Sequence, residues 1–490
     1  MKADTPPREK ARAGTYLCTD ARHLLAAGVV AVISFGQAWF RWVDWRKGFG
    51  DIAVIDQVAW MLSRGKMPVI SVLNWNAFGD HLAPVYFLFG ALYRVHATVA
   101  WVFLVEALAF GLSVLALPSM LSALGVEGRL KTAFQVAFVL NPLMWNAVGF
   151  AGHTTTMAIP FLIIGITAAV RGRVGVTALA GVVLLLFRDD LGLAIAAVAV
   201  IGFANDRDRR WTRWGAVAVG AIAWEAIGGQ IALGLGVDRW WLQRFTYLGT
   251  GPIDVITHPF HSLPALIGQL FSGASLAQVM LWLAAVAFLP VLAPKRLLLT
   301  VVVALPVLAA QDSFVHSPYF HHGAVMVPFL FWAAVGGAQR WQSLTDRPLP
   351  AFIVPVAAAC LLVSYGPVAG GNFERSPVAR PDGEAVISQL APDAGVLAQA
   401  DIRDRSAQRE MVLVYPYGFA ADCKEVPRLT GKRNVAVWPS SVIDTVVVPE
   451  PQTGAEQAEL DAVVKSPCFA DLGPPEHIGG VLLYRRGAPG

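Results

Sequence analysis

The sequence predicts an all-α polytopic membrane protein, of about eleven transmembrane helices, that carries a small C-terminal extracytoplasmic α/β domain. Three observations carry this expectation. The 490 residues are 56% hydrophobic and only 15% charged, with a mean hydropathy of +0.54. Apolar runs of about 20 residues, the length a helix needs to cross a hydrocarbon core, recur over the first three quarters of the chain. Beyond residue 368 the composition turns polar, and short β-like runs alternate with Pro and Gly turns.

The elements follow in order. Residues 1–21 form a basic N-terminal tail, and 22–367 the membrane domain. A chain inside lipid must satisfy its own backbone hydrogen bonds, so each apolar run is read as a helix even where Gly or Pro interrupts it. Spans are expected near 22–42, 98–124, 130–150, 155–171, 173–188, 190–205, 213–236, 276–293, 296–311, 322–338 and 350–367. Between the first two lies a long outer loop, 43–97, whose LAPVYFLFGALYRVH stretch (82–96) is too short and ends too polar to cross; it is read as a re-entrant or interfacial helix. Residues 368–490 form the tail domain, with runs such as GVLAQA, EMVLVYPY and VIDTVVV. Cys423 and Cys468 both lie there and are placed to pair in an oxidising compartment.

Basic residues set the orientation. With that span count, seventeen Lys and Arg fall on one side, including Arg22, Arg129, Lys131, Arg171, Arg210 and Arg296, against nine on the other outside the tail domain. The N-terminus is therefore expected in the cytoplasm and the protein in the cytoplasmic membrane. The first apolar run ends in FRWVDW rather than in small residues, so it reads as an uncleaved anchor. The net charge of +4 is topological and gives no reason to expect a nucleic-acid partner.

Almost every residue capable of chemistry at a membrane edge then falls on the outer side. GDIAVIDQVAW supplies Asp51 and Asp56, the former able to cap the helix it opens and the latter about 140° away around it. A carboxylate just outside the bilayer, partly desolvated, is also the group that removes a proton from a hydroxyl near neutral pH. GDHLAP adds Asp80 and His81, GFAGHTTT adds His153, and FRDDLG adds Arg188, Asp189 and Asp190. HSPYFHHG brings His316, Tyr319, His321 and His322, which lack any Cys or H-x-x-x-H spacing and are read as hydrogen-bonding groups for sugar or phosphate oxygens rather than zinc ligands. Arg188 either neutralises an adjacent Asp at an interfacial turn or holds a phosphate.

These stretches, together with GKMPV after the first, PVYFLFGALYRV after the second, and APDAGVLAQADIRDRSAQREMVLVYP in the tail, resemble in order and spacing the bacterial membrane-protein family known as domain of unknown function 2079. That family is similar to the GT-C superfamily of polyprenyl-phosphate-sugar glycosyltransferases. The resemblance implies a catalytic carboxylate at the start of the first outer loop, the place Asp51 occupies, with Asp189 or Asp190 at the same cavity and a lipid-phosphate donor entering from the bilayer. The chain departs from the expected pattern in three places: Ile52 follows Asp51 where an acidic pair is common, Gly50 precedes it where an aromatic is usual, and Arg188-Asp189-Asp190 replaces Lys-Glu-Asp. The function expected is transfer of a sugar from a polyprenyl-phosphate donor to a cell-envelope acceptor on the outer face of the membrane. Asp51 acts as base and Asp56 is a second candidate catalytic carboxylate, with no cofactor save a divalent cation where the chemistry calls for one. Two other classes stay open: a transporter or flippase, for which Glu106 and Glu225 are the intramembrane carboxylates, and a non-catalytic envelope assembly protein.

Overall fold

The structure is a computed structural model, described over residues 15–46, 51–72, 75–206, 208, 210–235, 240–249, 257–415 and 440–487. Several basic residues counted above, among them Lys47, Arg207, Arg209 and Arg239, lie outside these, as does Cys423. Within them Cys468 is disulfide-bonded, whereas Cys18 and Cys360 are free.

Helix α1 (Ala21–Val43) starts where the Asp20 side chain accepts the His23 N–H, and leads to the outer loop. That loop holds α2 (Ile52–Ser63), a short hairpin of β1 (Val69–Ile70) and β2 (Trp75–Asn76), the single turn α3 (Ala77–Asp80), and α4 (Tyr86–Val95). The ten-residue α4 packs along α2 instead of spanning. Next come α5 (Ala100–Ala123), α6 (Gly128–Val139) and α7 (Pro142–Phe150). The last two form one apolar rod interrupted where Asn141 caps a new helix and Pro142 takes its first position, a site that needs no N–H. Helices α8 (Thr154–Val170), α9 (Val174–Phe187), α10 (Gly192–Asn205) and α11 (Trp211–Gly234) follow.

The eighth expected span differs. Helix α12 (Pro259–Leu270) meets α13 (Gly273–Ala284) at a 52° bend, and the helix stops well before residue 293. Ala287 and Phe288 both take left-handed backbone angles, φ 55° and 57°, which end the helix and start a short 3-10 turn. Then come α14 (Pro294–Leu308), α15 (Met326–Thr345) and α16 (Ile353–Tyr365). The His321–Gly323 turn precedes α15, so the tenth span begins and ends later than the apolar run suggests. Among the described residues α1, α5, the α6–α7 rod and α11 are each long and apolar enough to cross a membrane, and the bent pair makes a fifth; the rest are shorter apolar rods packed beside them.

The core is a box of aromatic edges, Phe110, Phe134, Phe138 and Phe331, between α5, α6 and α15. The rim exposes Leu25, Val32, Val219 and Val363, an apolar girdle that water would not tolerate and lipid does. The two ends are unlike. At one, Arg171 donates to the Thr15 carbonyl, Arg210 to that of Gly172 and Gln339 to that of Leu124, so the basic loops meet. The acidic and histidine-bearing turns meet at the other, under the tail domain.

The tail domain contains α17 (Arg380–Ser388), α18 (Ala400–Arg405) and α19 (Gly454–Val464) around a five-stranded sheet. Its strands are β3 (Val396–Ala398), β4 (Val412–Val414), β5 (Thr445–Pro449), β6 (Glu476–Ile478) and β7 (Val481–Arg485), ordered β4-β3-β5-β7-β6. The first three pair in parallel and the last two antiparallel. One face of the sheet shares its core with Trp45 and Ala53 from the α1–α2 corner. Arg405 lies over both Trp42 and Trp45, at 4.9 and 4.4 Å, and donates to the Trp42 carbonyl. Gln57 donates to the carbonyl of Arg409, and the Ser71 hydroxyl to that of Val412. The tail is thus clamped onto the outer loop.

Candidate active site

Four turns converge beneath the tail. The first is the start of α2. Asp51 stands at its N-terminus and its carbonyl receives the first helical N–H bonds, but its side chain makes no capping bond. The carboxylate is therefore turned to the cleft. Its side chain keeps 42% of its surface open, yet protein walls surround it, and this desolvation with the nearby Asp80 raises its pKa to about 6. Arg403, Arg188 and His81 oppose the rise.

The second is the α7–α8 turn. Ala151 and Gly152 take left-handed angles, φ 53° and 80°, and a Cβ on Gly152 would lie 2.9 Å from Ile52 Cδ1 and 3.3 Å from its Cα. Only glycine lets this turn press against the start of α2. The Gly152 N–H is held by Glu106 Oε2 of α5 at 3.0 Å. His153 then caps α8: its Nδ1 accepts the Thr155 N–H, leaving Nε2 3.9 Å from Asp51 Oδ2 and 3.1 Å from Arg188 Nη1.

The third is the α9–α10 turn. Arg188 is nearly buried; it grips Asp190 through Nε at 2.8 Å and through Nη2, and the same Nη2 lies 3.0 Å from His81 Nε2. Asp189, 3% exposed, accepts the Leu82 N–H and sits against Gly228 of α11, where a Cβ would fall 2.5 Å from its Oδ2. Fourth is the turn before α15, where His321 stacks on His153 with ring centroids 3.2 Å apart and on His322 at 4.2 Å. Burial, and the positive charge of Arg188 nearby, hold His153 and His321 well below the usual imidazole range, so both rings are neutral.

Of the residues expected from sequence, Asp51, Asp80, His81, His153, Arg188, Asp189, Asp190, His321 and His322 are brought together. Three are not. Asp56 faces the other side of α2, where Tyr93 Oη donates to it at 2.7 Å and Gln408 Nε2 of the tail at 3.0 Å. His316 lies toward Ser275 of α13, and Tyr319 packs against Gly370. Within the cluster two sets of atoms suit a metal by type, Asp51–His153–His321 and His81–Asp189–Asp190, each within 4.8 Å of one another, with the Arg188 cation between them; a third such set, Cys18–Asp20–His23, lies at the start of α1. Sequence reasoning missed the supports: Glu106, Gly152, Gly228, and the tail residues Arg403 and Gln408. Glu106 alone carried a signal, as a carboxylate inside an apolar run.

The sequence model of the family described as predicted membrane protein (DUF2079) matches residues 50–369, which contain the whole cluster. The chain is a DUF2079 membrane protein. Among curated proteins none matches it. The structure of this DUF2079 chain is similar to the crystal structure of ArnT from Cupriavidus metallidurans bound to undecaprenyl phosphate. The TM-score is 0.50 at 11% sequence identity, over 95% of this chain and 98% of that one. The DUF2079 chain therefore has an ArnT-like fold and is a multi-pass membrane protein.

Proposed function

We propose that this protein transfers a sugar from a polyprenyl-phosphate carrier to a cell-envelope acceptor on the outer face of the cytoplasmic membrane. The carrying observation is the partly desolvated carboxylate of Asp51, separated from the Arg188 guanidinium by one imidazole. Asp51 removes the acceptor hydroxyl proton while that oxygen attacks the anomeric carbon. The bond from that carbon to the phosphate oxygen breaks, its electrons leave with the carrier phosphate, and Arg188 stabilises the charge. Asp189 is fixed by the Leu82 N–H, and Asp80 and Asp190 line the same cleft; with His81 and the neutral His153 they serve as partners for sugar hydroxyls. Asp56 is assigned to docking the tail. The undecaprenyl phosphate in the ArnT crystal supports a lipid-phosphate donor, and the concentration of titratable groups at one end argues against transport. Glu106 and Glu225, the carboxylates a transporter would use, lie against Gly152 and Gly192 at helix contacts.

The test places the full-length protein in lipid nanodiscs with a panel of polyprenyl-phosphate sugars and an envelope extract as acceptor source, and follows release of polyprenyl phosphate. The parent is expected to release carrier, and Asp51→Asn to do so at least about 100-fold more slowly with donor retention unchanged. Equal release by both proteins, or donor binding without release by either, defeats the assignment. A run with EDTA separates two roles for Asp51: unchanged turnover is expected of a base, and loss of turnover assigns it to a cation shared with His153 and His321.

A further inference from the structure

The basic end of the bundle holds a second cavity, as far from the cluster as the bundle is long. It is a cleft of about 690 Å³ between the start of α1 and α6, backed by α5. That volume falls in the range of small-ligand pockets, about 300–1,000 Å³. Its polar edge carries Arg22, Arg129 and Lys131 against one carboxylate, Glu127. Lys131 stands 3.6 Å from that carboxylate and donates to Ser122, and Arg22 is 3.5 Å from Asp20. Arg129 is exposed and makes no hydrogen bond or ion pair among the described residues. Behind the cations, buried His23 is bonded on both ring nitrogens, to Asp20 and to Gln135, which closes the polar floor across the gap between α1 and α6.

The inner wall is of another kind. Val114, Leu117, Phe138 and Val139 give it a hydrocarbon surface, and the exposed Val136 of α6 continues it outward. A cavity with cations at its mouth, hydrocarbon on its wall and the exposed Val136 at its edge is complementary to one kind of molecule present around a membrane protein. We infer that this cleft binds an anionic membrane phospholipid. Its phosphate lies among Arg129, Lys131 and Arg22, and an acyl chain runs along Leu117, Val136 and Phe138. Each cation near an anionic headgroup contributes about 1 kcal/mol. Phosphate as such is the shared chemistry; the apolar wall is what selects the lipid over the free ion.

The test takes the full-length protein in nanodiscs of phosphatidylcholine with graded phosphatidylglycerol, and counts retained lipids by native mass spectrometry. The parent is expected to retain phosphatidylglycerol in preference to phosphatidylcholine. Removing two cations, in Arg22→Gln/Arg129→Gln, weakens that retention about 30-fold. Val136→Trp, which fills the wall and leaves every charge in place, removes it as well. Both changes are at exposed positions and are expected to leave the circular dichroism spectrum of the parent unchanged. Equal retention of the two lipids, or retention unaffected by either variant, overturns the inference. So does displacement of the lipid by inorganic phosphate, which would assign the cleft to the free ion.

Discussion

At the scale of the residue, the two aspartates of α2 have different fates because five positions turn one of them away. Asp51 faces the cleft, and its carboxyl, raised to about 6, must be ionised to act as a base. The rate should therefore fall as the pH drops through about 6, rather than near 4 as for an ordinary carboxylate; a pH profile of carrier release from pH 4.5 to 8 measures the limb. Asp56, 2% exposed, is also pushed up to about 6, by burial, with Tyr93 and Gln408 pulling the other way. Its folded value lies above its unfolded one, so the folded protein binds more protons and stability declines as pH rises from about 4 through about 6. Asp56→Asn keeps an acceptor for both donors and is expected to flatten that decline without loss of turnover. Asp56→Ala leaves the buried Tyr93 hydroxyl unmet, at about 1–3 kcal/mol, and the half-buried Gln408 amide free to turn to water. Thermal unfolding across pH distinguishes these outcomes. Asp51, Arg188 and the histidines were legible in the sequence because titratable groups stand out against apolar runs. The bond from Gln408 to Asp56 was not, since it joins residues 352 positions apart and neither has a local pattern.

At the scale of the element, the site depends on close approach between helices. A side chain at Gly228 would collide with Asp189, and one at Gly152 with Ile52 while also sitting in a left-handed conformation. Gly152→Ala is expected to cost about 1–2 kcal/mol from the backbone alone. It should also displace His153 and the start of α2 together, lowering both melting temperature and turnover. Gly228→Val should leave α2 in place and displace the α9–α10 turn, so donor retention falls with less effect on the pH limb. Helix existence was readable from the apolar runs, and α4 from its shortness. The end of α13 was not: Ala287 and Phe288 are residues that ordinarily continue a helix, and only packing forces them left-handed.

At the scale of the whole molecule, the membrane part and the tail share a core. Arg405 between Trp42 and Trp45, with the Gln57 and Ser71 bonds, fastens the tail over the cleft. Arg405→Ala removes a cation from two aromatic faces, worth about 0.5–2 kcal/mol. It is expected to increase protease release of residues 368–490 and to slow turnover, whereas release without a change in turnover would show the tail to be dispensable for the chemistry. The existence of a polar α/β tail was plain from its composition. That it contributes Gln408 and the Arg403 charge to the outer loop was hidden, because docking is written in single residues scattered over two regions.

The last strand of the chain, β7, lies inside the tail sheet between β5 and β6. During synthesis β5 can pair with β3 on one edge, but its other edge waits for β7, which emerges after the helices of the membrane part. The tail sheet is therefore completed only after every cluster residue has been made. A variant lacking β7 would carry every cluster residue and yet leave β5 with one bare edge in the domain that docks on them.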